Sequence, residues 1–292
     1  MSPAITLNNT MSQATTEVQQ DPIQNNTHNN LFSLEGRTIA ITGGGGGLGI
    51  VLVEAVLDAG ADVACLDLPL QPPPEFAILQ KHALSRGLQA SYFCCDITNE
   101  DQTRKVLEGV AAEGMSRGKP LRGAITCAGI QQMVPALDYP IEGLRKMLDV
   151  NVVGTFIPAK HCARIFVEQK LPGSIVMIAS MSGQIANRGL TCSAYNSSKA
   201  AVHQMCRSVA QEWGQYEIRI NTLSAGYIRT AMTDCLLEEK PEVEETWMRG
   251  ALLNRLGTPE DFKAPTIYML ADGSSFMTGA DLRVDGGHCA SA

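Results

Sequence analysis

The stretch ITGGGGGLGIVLVEAVLDAG, Ile41 to Gly60, sets five consecutive glycines between a short apolar run and a longer one with helical spacing. A glycine run by itself reads as a linker; its position decides otherwise here. It follows the β-rich TIAIT (Thr38 to Thr42) directly and opens a helical segment, Leu48 to Ala59. In an open α/β sheet, that junction is where a dinucleotide pyrophosphate rests on a helix N-terminus. Glycine suits it because the turn needs dihedrals that a Cβ forbids and because the main chain must approach the phosphates closely. Asp67 ends the next β-rich run, 18 residues after Gly49. That is near the spacing at which a carboxylate accepts hydrogen bonds from the adenosine ribose.

Outward from this stretch the pattern repeats. DVACLD (Asp62 to Asp67), ASYFCC (Ala90 to Cys95), GAIT (Gly123 to Thr126), SIVMIA (Ser174 to Ala179), IRINTL (Ile218 to Leu223) and DLRV (Asp281 to Val284) read as strands, mostly separated by longer helical segments such as Ala200 to Trp213. Strand and helix in alternation predict a Rossmann-type, doubly wound parallel sheet covered on both faces, an α/β fold in one domain over residues 34–292. Residues 1–33, rich in Asn, Gln and Thr with little to bury, read as a disordered polar tail.

Composition narrows the function. The 292 residues are 45% hydrophobic and carry a formal net charge of -7, which disfavours nucleic acid as a partner. No run approaches the roughly 18 apolar residues of a membrane span, so no membrane role is expected. With no Lys or Arg before Arg37 and no apolar leader, the expected location is cytoplasmic. The nine cysteines, odd in number and without a CxxC spacing, are expected to be reduced, and no metal site is read from them.

Tyr195 and Lys199 stand four apart at the start of a helical segment, so both side chains lie on one face. A free phenol, with a pKa near 10, is a poor base at neutral pH. A neighbouring ammonium and the positive ring of an oxidised nicotinamide both favour phenolate, which makes the pair a candidate general base.

Thr42 to Gly49, TGGGGGLG, follows T-G-x-x-x-G-x-G, and with Asp96-Ile97, Cys127-Ala128-Gly129, Asn151, Ser180, Tyr195-x-x-x-Lys199, NTLSAGYIRT (Asn221 to Thr230) and VDGG (Val284 to Gly287) the chain resembles the short-chain dehydrogenase/reductase family. The resemblance implies that Gly43, Gly47, Leu48 and Gly49 cradle the dinucleotide. It implies that Ser180 orients the substrate, Tyr195 is the acid/base, Lys199 holds the nicotinamide ribose and tunes Tyr195, and Asn151 completes a water-linked proton path. Ser182 competes with Ser180 for the serine role. Asp96 and Ile97 are expected at the adenine, Ala128 and Gly129 at the adenosine and ribose, and Ile228 and Thr230 at the nicotinamide. No cation lies in the glycine loop or just after Asp67, where Leu68, Pro69 and Leu70 follow, and Asp67 repels a 2′-phosphate; the cofactor read here is NAD.

Two positions depart from the family pattern. Thr126-Cys127-Ala128-Gly129 stands for Asn-Asn-Ala-Gly, and Ala225-Gly226 for Pro-Gly. Both bear on cofactor affinity more than on reaction type. NLFSLEGRTIAITGG, ASMSG and IRINTLSAGYIRT resemble the polyol branch, with its arabinitol and mannitol 2-dehydrogenases and sorbose reductases, and they also resemble tailoring dehydrogenases of secondary metabolism. The substrate side is correspondingly mixed. Gln131, Gln132, Gln184, Asn187 and Arg188 suit a hydroxyl-rich ligand; Met133, Leu190, Tyr227, Met232, Trp247 and Leu252 suit an apolar one. Of these, Gln131, Gln184, Leu190, Tyr227 and Trp247 are the candidate substrate contacts, under a lid from Met232 to Leu253.

The expected protein is an NAD-dependent oxidoreductase passing hydride between nicotinamide and a small-molecule secondary alcohol or ketone. It is expected to work as a homo-oligomer, tetramer or dimer, with the Val202 to Trp213 helix a candidate face. The rivals are an NADPH-dependent ketoreductase and a non-catalytic dinucleotide-sensing regulator.

Overall fold

A computed structural model describes residues 31–230, 233–234, 237–238 and 241–291. The greater part of the predicted tail, and Met232, lie outside the described residues. Seven strands form one parallel sheet: β1 Thr38–Thr42, β2 Asp62–Asp67, β3 Ala90–Cys94, β4 Leu121–Thr126, β5 Gly173–Ser180, β6 Ile218–Ala225 and β7 Asp281–Val284, in the order β3-β2-β1-β4-β5-β6-β7. Helices α1 Gly47–Asp58, α2 Pro74–Ser85, α3 Glu100–Ser116, α4 Ile141–Leu148, α5 Gly154–Gln169, α6 Ser193–Trp213, α7 Pro241–Gly250 and α8 Lys263–Leu270 connect them. The order reverses between β1 and β4, and the crevice at such a reversal is where open α/β sheets take their ligands.

The strands bury both faces, which is why they read as continuous apolar runs rather than alternating ones. All eight residues of β5 are buried. Val176 and Ile178 join one core with Leu52, Val53 and Val56 of α1 and Met269 of α8. Ile175 and Met177, pointing the other way, join Leu107 of α3, Phe166 of α5 and Val202 of α6 in the second. A smaller third cluster, Leu237, Trp247 and Leu256, stands apart from the two.

Three details differ from the sequence reading. Helix α6 begins at Ser193, a full two turns before Ala200, so Tyr195 sits in its first turn. Strands β5 and β6 run on to Ser180 and Ala225, which pair with each other. Leu31 and Phe32, within the expected tail, already touch the fold: the Leu31 carbonyl accepts from the Gly273 amide, and the Phe32 ring centre lies 6.3 Å from that of Tyr268. Among the described residues no helix is long and apolar enough to cross a membrane, and the eight described cysteines are all free thiols.

Phe166 is fully buried, and the bare Cα of Gly173 makes room for its ring: a Cβ there would lie 2.2 Å from Phe166 Cδ2. Phe166→Ala is expected to lower the unfolding free energy by about 3–5 kcal/mol in urea denaturation, with the loss in midpoint rather than slope.

Candidate active site

The glycine loop is shaped by what it excludes. Gly43 takes a left-handed φ of 66°, and a Cβ on it would stand 2.7 Å from the Ala128 backbone. A Cβ on Gly49 would stand 2.0 Å from the Gly43 carbonyl oxygen. The first glycine lets the loop close on the end of β4; the second lets α1 lie on the loop. Gly46 caps α1 without a side-chain bond, no acid occupies the first turn, and Gly47 is left-handed at 52°. The positive end of the helix is therefore open to an anion.

Asp67, at the end of β2, accepts from the Gly45 amide at 2.8 Å and the Leu68 amide at 2.7 Å. These bonds use one lone pair on each oxygen and leave others for a ligand. Gly45 is as constrained as its neighbours, since a Cβ would meet Asp67 Oδ2 at 2.7 Å. A close-approach loop, an uncapped helix end and a fixed carboxylate at one crevice fit a dinucleotide. Gly43, Gly47, Leu48 and Gly49 would face its pyrophosphate and Asp67 its ribose.

Further along the crevice, Asp96 Oδ1 accepts from both the amide and the hydroxyl of Thr98. Ile97 is buried against Gly154, whose own Cβ would stand 2.8 Å from it, so its side chain supports the wall from beneath. Where Cys127 replaces the family's asparagine, the tie to β1 is made by Thr42. Its carbonyl accepts from Cys127 and its hydroxyl accepts from the Ala128 amide at 3.3 Å. Gly129 faces Asn151 and Lys199. Beyond β6, Gly226 packs on Asp285 and bonds the Val284 carbonyl, Ile228 bridges to Gly257, and Thr230 exchanges hydrogen bonds with Thr233.

The candidate reacting groups meet at the carboxyl end of the sheet. Ser180 ends β5, its hydroxyl 3.4 Å from the Ala225 carbonyl and accepting from the Ser182 amide at 3.1 Å. Ser180 favours the ionised form of the Tyr195 phenol. Lys199 Nζ donates to the Ile178 carbonyl at 2.8 Å and lies 5.6 Å from the Tyr195 ring centre. A π-helical turn, Asp149–Val153, joins α4 to α5 and turns Asn151 fully inward. Its amide clasps both main-chain polar groups of Ile130 and donates to Ser198 Oγ, which bonds the Tyr195 carbonyl. Asn151 thus fastens the loop after β4 to the first turn of α6.

Burial dominates the electrostatics. It pushes the Tyr195 phenol up to about 12, against the pull of Ser180, and Cys192 and Cys127 raise it further. It draws the Lys199 ammonium down to about 8. The ammonium therefore does not by itself produce a phenolate here. Desolvation outweighs it.

On the substrate side the expected contacts divide. Gln184, exposed, is engaged at both ends by the β7 edge, donating to Asp281 and accepting from Arg283 at 3.0 Å. Trp247 is 3% exposed and stacks on Tyr227 with ring centres 4.1 Å apart at 5°. It anchors the lid instead of lining an open pocket. Tyr227 remains partly exposed and accepts at its hydroxyl from Asn187 Nδ2 at 2.9 Å. Leu190 packs on the same cluster, and Gln131 is exposed at the rim. Two groups here escaped the sequence reading. Cys192, three residues before Tyr195, bonds Asn187, and His288 sets its ring edge-on to Tyr227 at 5.0 Å. The adjacency of Cys192 to Tyr195 and of His288 to VDGG were the signals available.

With this geometry in view, the comparisons agree. The family model described as Enoyl-(Acyl carrier protein) reductase matches residues 44–288. The chain belongs to the short-chain dehydrogenase/reductase family, and it is an oxidoreductase that works with a nicotinamide dinucleotide. A short chain dehydrogenase/reductase of Aspergillus versicolor is 49% identical over 264 residues, covering 89% of each chain. The ribulose-forming D-arabinitol 2-dehydrogenase of Candida tropicalis is 35% identical over 268 residues, 88% of this chain and 94% of that one. Among solved structures, the NADPH-dependent 3-quinuclidinone reductase of Rhodotorula rubra matches with a TM-score of 0.82 at 34% identity, covering 94% of this chain and 99% of that one.

The lowered value of Lys199 sets a testable sign. Between pH 8 and the ordinary lysine value of 10.5 the unfolded chain binds more protons at this residue than the native one, so unfolding free energy rises with pH across that window. In Lys199→Met this component of the rise is expected to vanish. The difference from wild type should change by about 3 kcal/mol between pH 7.5 and 10.5 in paired urea titrations.

Proposed function

We propose that the protein is an NAD-dependent dehydrogenase that oxidises a secondary alcohol to a ketone, acting as a cytosolic homo-oligomer, tetramer or dimer. The observation that carries the chemistry is the meeting of Ser180, Tyr195 and Lys199 at the carboxyl end of β5, beside a loop fitted for a dinucleotide. A bound oxidised nicotinamide supplies the hydride acceptor at its ring C4 and a positive charge that favours the Tyr195 phenolate. Ser180 donates a hydrogen bond to the substrate oxygen, keeping its own proton, and fixes its direction. Tyr195 takes the substrate's hydroxyl proton as the carbinol C–H bond breaks and its electron pair leaves as hydride. The proton then passes from Tyr195 to solvent. Lys199 holds the ribose and adds its charge beneath the Tyr195 ring; Asn151 keeps the helix turn that carries Tyr195 in register with the loop after β4.

NAD over NADP rests on Asp67. Its carboxylate stands within hydrogen-bond distance of the loop amides, and no described residue forms an ion pair with it. A 2′-phosphate there would meet a negative charge with no cation to offset it. The relatives named above divide between a polyol substrate and an NADPH-dependent ketone reduction, which makes the second a real alternative for this chain.

The reading is tested by titrating the protein with NADH and NADPH and by assaying NAD reduction with secondary alcohols. NADH is expected to bind at least tenfold more tightly, with Asp67→Ala weakening it by about 10–100-fold. Tyr195→Phe is expected to lower kcat by about 10²–10⁴-fold while leaving NADH affinity within threefold. Preference for NADPH overturns the cofactor reading, and turnover that survives in Tyr195→Phe overturns the mechanism.

A further inference from the structure

The segment that follows β7 turns back onto the cover of the site. Asp285 organises the turn: its carboxylate, 7% exposed, accepts from the Gly287 and Cys289 amides, both at 2.9 Å, and pairs with Arg283 at 3.2 Å. Hydrogen bonds to an ionised acceptor are about twice as strong as neutral ones, so the turn is firmly set. Four contacts run from it to the stretch where α7 ends. The His288 ring takes the place of a Gly250 Cβ, 2.3 Å from where that atom would be. Ser291 Oγ donates to the Gly250 carbonyl at 2.8 Å, and the Leu253 amide donates to the Gly286 carbonyl at 3.2 Å. Leu252 lies so close to Gly287 that a Cβ there would stand 2.8 Å from its Cδ1.

Helix α7 in turn spans two loops at the carboxyl end of the sheet. Trp247 stacks on Tyr227, which follows β6, and Thr246 Cγ2 lies 3.7 Å from where a Gly189 Cβ would be, in the loop between β5 and α6. That loop joins the candidate reacting groups, for β5 ends at Ser180 and α6 opens on the turn that carries Tyr195. His288 also sets its ring edge-on to Tyr227, so one side chain touches both the end of α7 and the loop beneath it. It works there by shape: its Nδ1, buried, has no hydrogen-bond partner among the described residues. Nearer the start of α7, Arg229 pairs with Glu244, so the helix is held from two sides.

We propose that His288 and Ser291 are positioning residues: they fix how α7 lies across the loops carrying Asn187 and Tyr227, so that loosening them weakens substrate binding and spares the acid/base chemistry. If α7 is loose in the free protein, closing it on a substrate costs ordering free energy that binding must supply. The consequence for turnover rests on the dehydrogenase reading above; the seating of α7 does not.

Hydrogen exchange followed by mass spectrometry on the full chain reads the seating. In the double variant His288→Ala, Ser291→Ala, peptides covering residues 241–250 are expected to exchange about tenfold faster than in wild type, with those covering α1, α3 and α5 within about twofold. His288→Phe with Ser291 intact keeps a ring in place and is expected to retain the slow exchange. Turnover is read as NAD reduction with D-arabinitol and with cyclohexanol. For whichever alcohol wild type turns over faster, the double variant is expected to raise KM about tenfold and to leave kcat and NADH affinity within about threefold. Unchanged exchange in α7, a His288→Phe variant as loose as the double variant, or a loss in kcat with KM unchanged overturns the proposal. Should the double variant fail to fold, Ser291→Ala, at an exposed position, is expected to speed exchange in α7 in smaller measure, and no change there overturns the proposal likewise. If NADH binds and neither alcohol turns over, the dehydrogenase reading fails, and the exchange measurement still decides whether His288 and Ser291 seat α7.

Discussion

No side chain fits between Gly49 and the Gly43 carbonyl, where a Cβ would stand only 2.0 Å from oxygen. That contact fixes how closely α1 approaches the end of β1, and much of the crevice follows from it. With α1 seated, Gly43 must turn left-handed to reach the Ala128 backbone, which closes the gap between β1 and β4 at the reversal of strand order. Gly45 then presents its amide to Asp67, so a carboxylate on the neighbouring strand is fixed by the same loop. One steric constraint thereby sets a helix end, a loop and an acid at a common place.

The reacting side depends on a second fastening. Asn151, turned inward by the π-helical turn, holds Ile130 and reaches Ser198, which in turn holds the Tyr195 carbonyl. Every link is buried or partly buried, where a hydrogen bond is stronger and a lost partner costs more. The same burial explains why the phenol and the ammonium are both displaced towards their neutral forms.

Over this rigid floor sits a cover assembled from far-apart segments. Asn187 comes from the loop before α6, Tyr227 follows β6, Trp247 belongs to α7 and His288 follows β7. Gly250 has no Cβ because His288 occupies that space, with its imidazole 2.3 Å from where the atom would be. The substitution of Ala225 for the family's proline leaves this loop anchored, since Gly226 packs on Asp285 and bonds Val284.

The glycine positions, the seven strands and the Tyr195 to Lys199 spacing were legible in the sequence because each is local. Glycine marks dihedrals at its own position, burial on both faces writes a continuous apolar run, and four residues make one helical turn. Partner choice was not local. Gln184 reads as a free amide until β7, 97 residues on, engages it, and Trp247 reads as a pocket wall until Tyr227 covers it. The partners of the Asn151 amide, Ile130 and Ser198, likewise come from other elements. The sequence by itself determined the fold, the glycine loop between β1 and α1 and the placing of Tyr195 and Lys199 on one helix face; the tertiary structure decided which polar side chains are engaged, because a hydrogen bond between distant segments leaves no periodicity in either.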